Sequence, residues 1–248
     1  MGLTPPYLSA AEIEAAANLL LAEYRRGKGG EVGLPVPVEA ILESHLGLHF
    51  GFDDLRTKLG VPDVLGALYI ESAEVIVDQA LDPDERPFIL PRFHFTLGHE
   101  IGHWRLHRPL ILARKRQEDL FQQARDPSII CRTSQQRERI ELQADAFAAA
   151  LLMPRPAIVA HWQRLIGPER LKLSELCRRG KDFLAAAILA RGNFSPDAQG
   201  QLNDVIEALI RPLADAFAVS RPAMRIRLEQ LGFIVRDAET TMSLFEAV

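Results

Sequence analysis

Residues His99-Glu100-Ile101-Gly102-His103 set two imidazoles four positions apart, with a carboxylate directly after the first. On a helix, residues four apart stack on one face, one turn above the other. Two imidazole nitrogens so placed can meet on one ion at about 2.0–2.1 Å, the zinc–nitrogen distance. Glu100 is rotated by about 100° from His99 on the same helix, so its carboxylate falls beside such an ion rather than on it. A base that acts on water held at a metal needs that placement.

A catalytic zinc keeps three protein ligands and one free position. His107 continues the four-residue spacing but lies eight residues from His99, about 12 Å along a straight helix, too far to share the ion. It reads as a residue behind the ligands, or one that touches substrate. A third histidine at the metzincin spacing is excluded, because that position is Pro109. Glu141 and Asp145 offer a better completion: a Glu ligand, and an acid one turn later that can orient a ligand imidazole. Glu138 competes with Glu141 for the ligand role. Ala144, Ala146, Ala148, Ala149 and Ala150 surround these acids and allow two helices to approach closely. Acids on a buried helix need a cation to satisfy them. Two His and one carboxylate suit Zn²⁺, and could also hold Mn²⁺ or Fe²⁺.

These residues must be carried by helices. The segment from about Phe93 to His107 reads as one helix closed by Pro109, and a second reads from a Thr133/Gln136 capping box to Met153, stopped by Pro154. An amphipathic helix begins at Ser9, whose Ser-x-x-Glu spacing to Glu12 is a capping box, and buries Ile13, Ala16, Ala17, Leu20 and Leu21. A short helix over 37–45 follows. The runs 67–70 and 74–77 read as a hairpin. The stretch 114–134 is polar and poorly patterned, and the remainder is helical, broken near Gly167, Gly180 and Gly192.

Composition fits a globular chain of 248 residues, 48% hydrophobic and 25% charged, which excludes disorder and fibre. The longest apolar runs are eight residues, at 146–153 and 183–190, where a bilayer span needs about 20. No secretion signal heads the chain, and two cysteines without a CxxC pair form neither a disulfide framework nor a zinc ribbon. The expected location is the cytoplasm, with no membrane partner. The net charge of −4 divides into −9 over 1–104, +8 over 105–191 and −3 over 192–248. The basic block flanks the proposed metal helices and reads as a surface for nucleic acid or an acidic partner, or as solvated helix faces.

The paired runs RFHFTLGHEIGHWRLH at 92–107 and IELQADAFAAALLMP at 140–154 resemble the ImmA/IrrE zinc metallopeptidases, whose metal site is gluzincin-like. The resemblance covers 1–165, including PVPVEAILESHLGLHF and the hairpin, and is weakest over 105–139. It implies zinc held by His99, His103 and Glu141, with Glu100 as catalytic base. It also implies cleavage of a helix-turn-helix repressor of the XRE type, which releases stress or mobile-element genes. Arg92 and Tyr69 are candidates for stabilising the oxyanion.

The expected fold is α+β: a helix-rich zinc metallopeptidase domain with a small antiparallel sheet over 1–165, then a helical region over 166–248. Within the latter, 213–234 reads as a helix-turn-helix-like pair, the second helix begun by Ser220 with Pro222 in its first turn. It resembles the segment that accompanies the peptidase in this family. Arg221 and Arg225 share a face, with Arg227 nearby. A local charge of −3 disfavours direct DNA binding and favours docking to protein. The rival reading is a non-enzymatic, metal-binding transcriptional regulator that acts through DNA or a partner.

Overall fold

The computed structural model of the chain describes residues 5–118, 127–132, 138–168, 170–172 and 198–235. These form two compact units, 1–154 and 155–248, dividing ahead of the 165/166 boundary expected from the sequence.

In the first unit, helix α1 (Ala10–Lys28) starts at Ser9 with its capping box formed: Ser9 N–H donates to Glu12 Oε2 at 2.8 Å, and Glu12 N–H to Ser9 Oγ at 3.3 Å. Gly29, in the left-handed conformation, ends it. Ile13, Ala17, Leu20, Leu21 and Tyr24 form its buried stripe. The short helix α2 (Val38–Ala40) widens into a π-helical turn over Ile41–His45 and leads to strand β1 (His49–Asp53). Helix α3 (Leu55–Leu59), capped by Asp54, connects to β2 (Val64–Tyr69), which forms a hairpin with β3 (Glu74–Asp78). Helix α4 (Leu90–Gly102) starts with Pro91 in its first turn. A π-helical stretch over His103–His107 continues it into α5 (Arg108–Glu118). Strand β4 (Ile129–Arg132) and helix α6 (Arg139–Leu152) complete the unit.

The sheet has the order β1-β3-β2-β4. It is mixed rather than antiparallel: β1 runs parallel to β3, while β3–β2 and β2–β4 are antiparallel. Short apolar runs reveal strands but not their directions, which follow from how α3 carries the chain between β1 and β2. Helix α4 packs on β2 and β3, α6 packs on α4, and α1 packs on α6. On the other face, Leu55 of α3 joins Val64 and Ala67 in a small core with Tyr69 and Ile130 against it.

Three expectations need correction. Pro109 does not close the active helix. It falls in the first turn of α5, where the missing N–H costs little, and the preceding stretch has widened. Helix α6 begins at Arg139 with the extended Glu138 as its N-cap; the expected capping pair Thr133/Gln136 lies outside the described residues. The stretch 114–134 contains strand β4, whose pairing partner β2 is remote in sequence.

In the second unit, helix α7 (Arg155–Leu165) follows Pro154, and helices α8 (Ala198–Ala216) and α9 (Arg221–Gln230) pack against each other. Ser220 caps α9 by accepting from Ala223 N–H at 3.3 Å, and Pro222 sits in its first turn. Trp162, Leu213, Phe217, Met224 and Leu228 are fully buried. Residues Leu171–Lys172 (β5) and Ile234–Val235 (β6) pair in parallel. Among the described residues, no helix is long and apolar enough to cross a membrane.

Candidate metal centre

The close approach of α4 and α6 rests on small residues on both helices. A Cβ at Gly98 would lie 3.3 Å from Ala148 Cβ, and one at Gly102 would lie 3.1 Å from both the Cα and the carbonyl oxygen of Ala144. Only glycine permits this spacing at those positions. The alanines were legible as packing residues. The matching glycines, also four apart and on the helix carrying the histidines, are the half of the signal that sequence reading missed.

Across this contact, His99 Nε2 lies 2.9 Å from His103 Nε2 and 3.1 Å from Glu141 Oε2, and His103 Nε2 lies 3.5 Å from Glu141 Oε1. Three ligands at zinc–ligand distances of about 2.0–2.1 Å in a tetrahedron stand about 3.3 Å apart. His99, His103 and Glu141 are thus brought together as a set that could hold an ion, and all three are buried. Among the described residues the only other such set is His99, Glu100 and Cys131. Glu138 is exposed and joins neither.

Hydrogen bonds fix which nitrogens face the space between these three residues. His99 Nδ1 lies 2.9 Å from Asp145 Oδ1; a carboxylate accepts, so Nδ1 carries a proton and Nε2 faces the site. His103 is fixed by a longer chain. Gln143 Nε2 donates to the Pro6 carbonyl at 2.9 Å, which turns its Oε1 towards His107 Nε2, also at 2.9 Å. His107 therefore donates from Nε2 and accepts at Nδ1 from His103 Nδ1, 3.1 Å away. This leaves the lone pair of His103 Nε2 free for an ion. His107 thus stands behind His103, and Asp145 behind His99, as carboxylate and amide groups stand behind ligand imidazoles generally. Gln143 was not picked out from the sequence, where a lone Gln carries no signal.

Protonation follows the same geometry. Burial pushes His103 down to about 4, and lowers His107. Burial also opposes charge on His99, but Cys131, Asp145 and Glu141 outweigh it and raise this imidazole well above its ordinary value. Burial would raise Glu141, yet its hydrogen bonds with His103 and His99 bring it down to about 2. The centre is built to hold positive charge. The same donors suit a divalent cation.

Glu100 is completely buried, neither carboxylate oxygen has a hydrogen-bond partner, and burial pushes it up to about 8. Its room comes from the sheet: a Cβ on Gly66 of β2 would lie 2.9 Å from Glu100 Oε1. A buried, unpartnered carboxyl costs stability and signals a ligand or a catalytic task.

The oxyanion candidates fare differently. Tyr69 packs with Ala67 on the face bearing α3, whereas Gly66, one residue from Ala67, faces Glu100. Alternation along β2 therefore turns Tyr69 away from the centre. Arg92 is exposed, two turns before His99 on α4.

No curated protein matches the sequence. Among solved structures, a Mycobacterium tuberculosis transcriptional regulator is similar over 87% of this chain, at 15% identity and a TM-score of 0.43; the chain spans 46% of that regulator's length. Residues 49–229, from β1 to α9, match the peptidase M78 family, described as the IrrE N-terminal-like domain, and the chain belongs to that family.

Proposed function

We propose that the chain is a zinc-dependent endopeptidase that cuts one regulatory protein, an XRE-type helix-turn-helix repressor, and so releases the genes it silences. The observation that carries the hydrolytic reading is Glu100, a fully buried carboxyl without a partner beside a set of residues that could hold a metal. Membership of a peptidase family supports it.

In this reading His99, His103 and Glu141 hold the metal, and Asp145 and His107 keep the two imidazoles turned towards it. A bound divalent metal supplies Lewis acidity, which polarises a scissile carbonyl and makes water easier to deprotonate. Glu100 takes the proton from the attacking water at its carboxylate and passes it to the leaving amine. Burial raises this carboxyl, which suits a group that must both accept and release a proton. The complete burial of Glu100 keeps bulk water from quenching that transfer. Zinc fits the nitrogen-rich set, and manganese or iron is a weaker match.

The second unit serves protein docking rather than DNA. Arg221 pairs with Glu207 at 3.3 Å, Arg225 with Glu229 at 3.1 Å, and Arg227 is buried, so these arginines are engaged within the unit instead of arrayed for phosphates. The positive charge of the sequence over 105–191 favours an acidic partner.

Glu100→Gln keeps the shape and removes the base. The variant should keep one zinc per chain, measured by elemental analysis, while cleavage of the repressor falls by at least about 10²-fold. Full activity in this variant would remove Glu100 from the chemistry and favour the regulator reading.

A further inference from the structure

One thiol faces the same space as Glu100. Cys131 sits on β4 opposite Gly66 of β2, and directly paired residues in a sheet project from the same face. Gly66 faces Glu100 and has no side chain to fill that face. Cys131 is a free cysteine and is buried. Its sulfur, a ring nitrogen of His99 and a carboxylate oxygen of Glu100 all lie within 4.8 Å of one another. His103 and Glu141 stand outside this set and meet His99 in the other one. Both oxygens of Glu100 are buried without a hydrogen-bond partner, and a buried carboxyl in that state points to a ligand.

We infer that His99, Glu100 and Cys131 form a second metal site, distinct from the set of His99, His103 and Glu141, which takes a thiophilic divalent cation. A thiolate and a carboxylate together carry two negative charges, which balance such an ion. A sulfur donor favours soft ions, whereas the other set has only nitrogen and oxygen. On binding, the S–H bond of Cys131 breaks, a sulfur–metal bond forms, and the proton is released to solvent. Asp145 holds His99 Nδ1 at 2.9 Å, which leaves Nε2 as the nitrogen that either set can use. One nitrogen holds one ion, so the two sites exclude each other. An ion in the second site also takes the Glu100 carboxylate. A thiophilic ion therefore silences the chain in two ways, by removing a ligand from the first centre and the base from the reaction. The site itself is independent of the proposed hydrolysis; only this silencing rests on that reading.

The test uses the full chain carrying Cys177→Ser, so that Cys131 is its one thiol, with Cd²⁺ as the probe. A cadmium–thiolate bond gives an ultraviolet charge-transfer band that bonds to nitrogen and oxygen lack. One Cd²⁺ per chain should bind with that band, and each Cd²⁺ bound to the zinc-loaded protein should release one zinc to a chromophoric chelator. Adding Cys131→Ser should abolish the band while zinc still binds. Glu100→Gln should weaken binding of Cd²⁺ by at least about tenfold, the least that disturbing a metal-holding group costs. His103→Ala, which removes a donor from the other set alone, should keep the band and lose zinc. Cd²⁺ without the band, or with unchanged affinity in Glu100→Gln, overturns the second site and leaves the zinc centre untouched. A band that appears without release of zinc overturns the competition through His99. A band in a protein that never binds zinc overturns the first centre and leaves the second standing.

Discussion

Gly102→Ala tests whether the spacing of α4 and α6 sets the metal centre. The added methyl would meet the Cα and carbonyl oxygen of Ala144 at 3.1 Å and Phe147 Cβ at 3.3 Å. Comfortable carbon contacts lie at about 3.5–4.0 Å, so α6 must retreat by a few tenths of an ångström. Its backbone is in the way, and no flexible side chain can swing aside instead. Stability records this poorly, since alanine gains about 0.8–1.0 kcal/mol in helix propensity over glycine against about 1–3 kcal/mol for overpacking. The net loss is at most about 2 kcal/mol, or a melting temperature lower by about 4–8 °C for a unit of this size. The metal centre should respond more strongly. Glu141 is on α6, one turn before Ala144, and metal–ligand distances tolerate only about ±0.2 Å. Zinc affinity should therefore drop by about 10–100-fold, the usual result of disturbing groups that hold a ligand in place. Competition against a chromophoric chelator measures the affinity, and melting of the metal-free protein measures the stability. Gly27→Ala is the control, because a Cβ there meets nothing within 4 Å; it should leave affinity unchanged. Wild-type zinc affinity in Gly102→Ala would refute the reasoning.

Two further outcomes follow from Glu100. Gly66→Ala places a methyl 2.9 Å from Glu100 Oε1 and 3.0 Å from Thr96 Cγ2, which turns the carboxylate aside; repressor cleavage should fall by about 10²-fold with zinc content intact, and unchanged kcat/KM would count against Glu100 as the base. In the metal-free protein, burial pushes Glu100 up to about 8, so between its ordinary value and 8 the folded state holds a proton that the unfolded state releases. Stability then falls as pH rises through that window, by up to about 1.4 kcal/mol per pH unit, and denaturant titrations of metal-free Glu100→Gln should lose that part of the slope.

What could be read from the sequence was whatever lies in continuous periodic segments. The four-residue spacings His99/His103 and Glu141/Asp145, the Ser9 cap and the alanines of α6 all report on local helical geometry, and helical geometry repeats without help from elsewhere. The family match reaches to 229, past the 165 to which the peptidase motifs extend and into the 213–234 segment, whose Ser220 cap and Pro222 are again local helical signals. Strand β4 gave no such signal. Ile129–Arg132 is four residues long inside a polar stretch, and its existence depends on pairing with β2, about sixty positions away. Strand propensity is largely a measure of such partners. Tyr69 was misjudged on the same account, since choosing its face requires knowing which neighbour of β2 the active helix covers.

That dependence on pairing explains why the motif alone does not make a hydrolytic site. His99, Glu100 and His103 on an isolated helix would leave the carboxylate in water, at an ordinary pKa. Glu100 acquires its burial from β2, where Gly66 offers a gap in place of a side chain. The imidazoles acquire their orientation from α6, through Asp145 and through the chain that runs from the Pro6 carbonyl to Gln143 to His107. Each of these partners acts by position and hydrogen bonding rather than by its own chemistry. The sheet edge contributes as well, since the register that sets Gly66 against Glu100 also places Cys131 beside it. A substitution at Gly66 therefore bears on both the base and the thiol, whereas one at Gly102 bears on Glu141 through α6. If the centre is assembled in this way, the two glycine variants must fail differently: Gly66→Ala with its zinc in place, Gly102→Ala through loss of zinc.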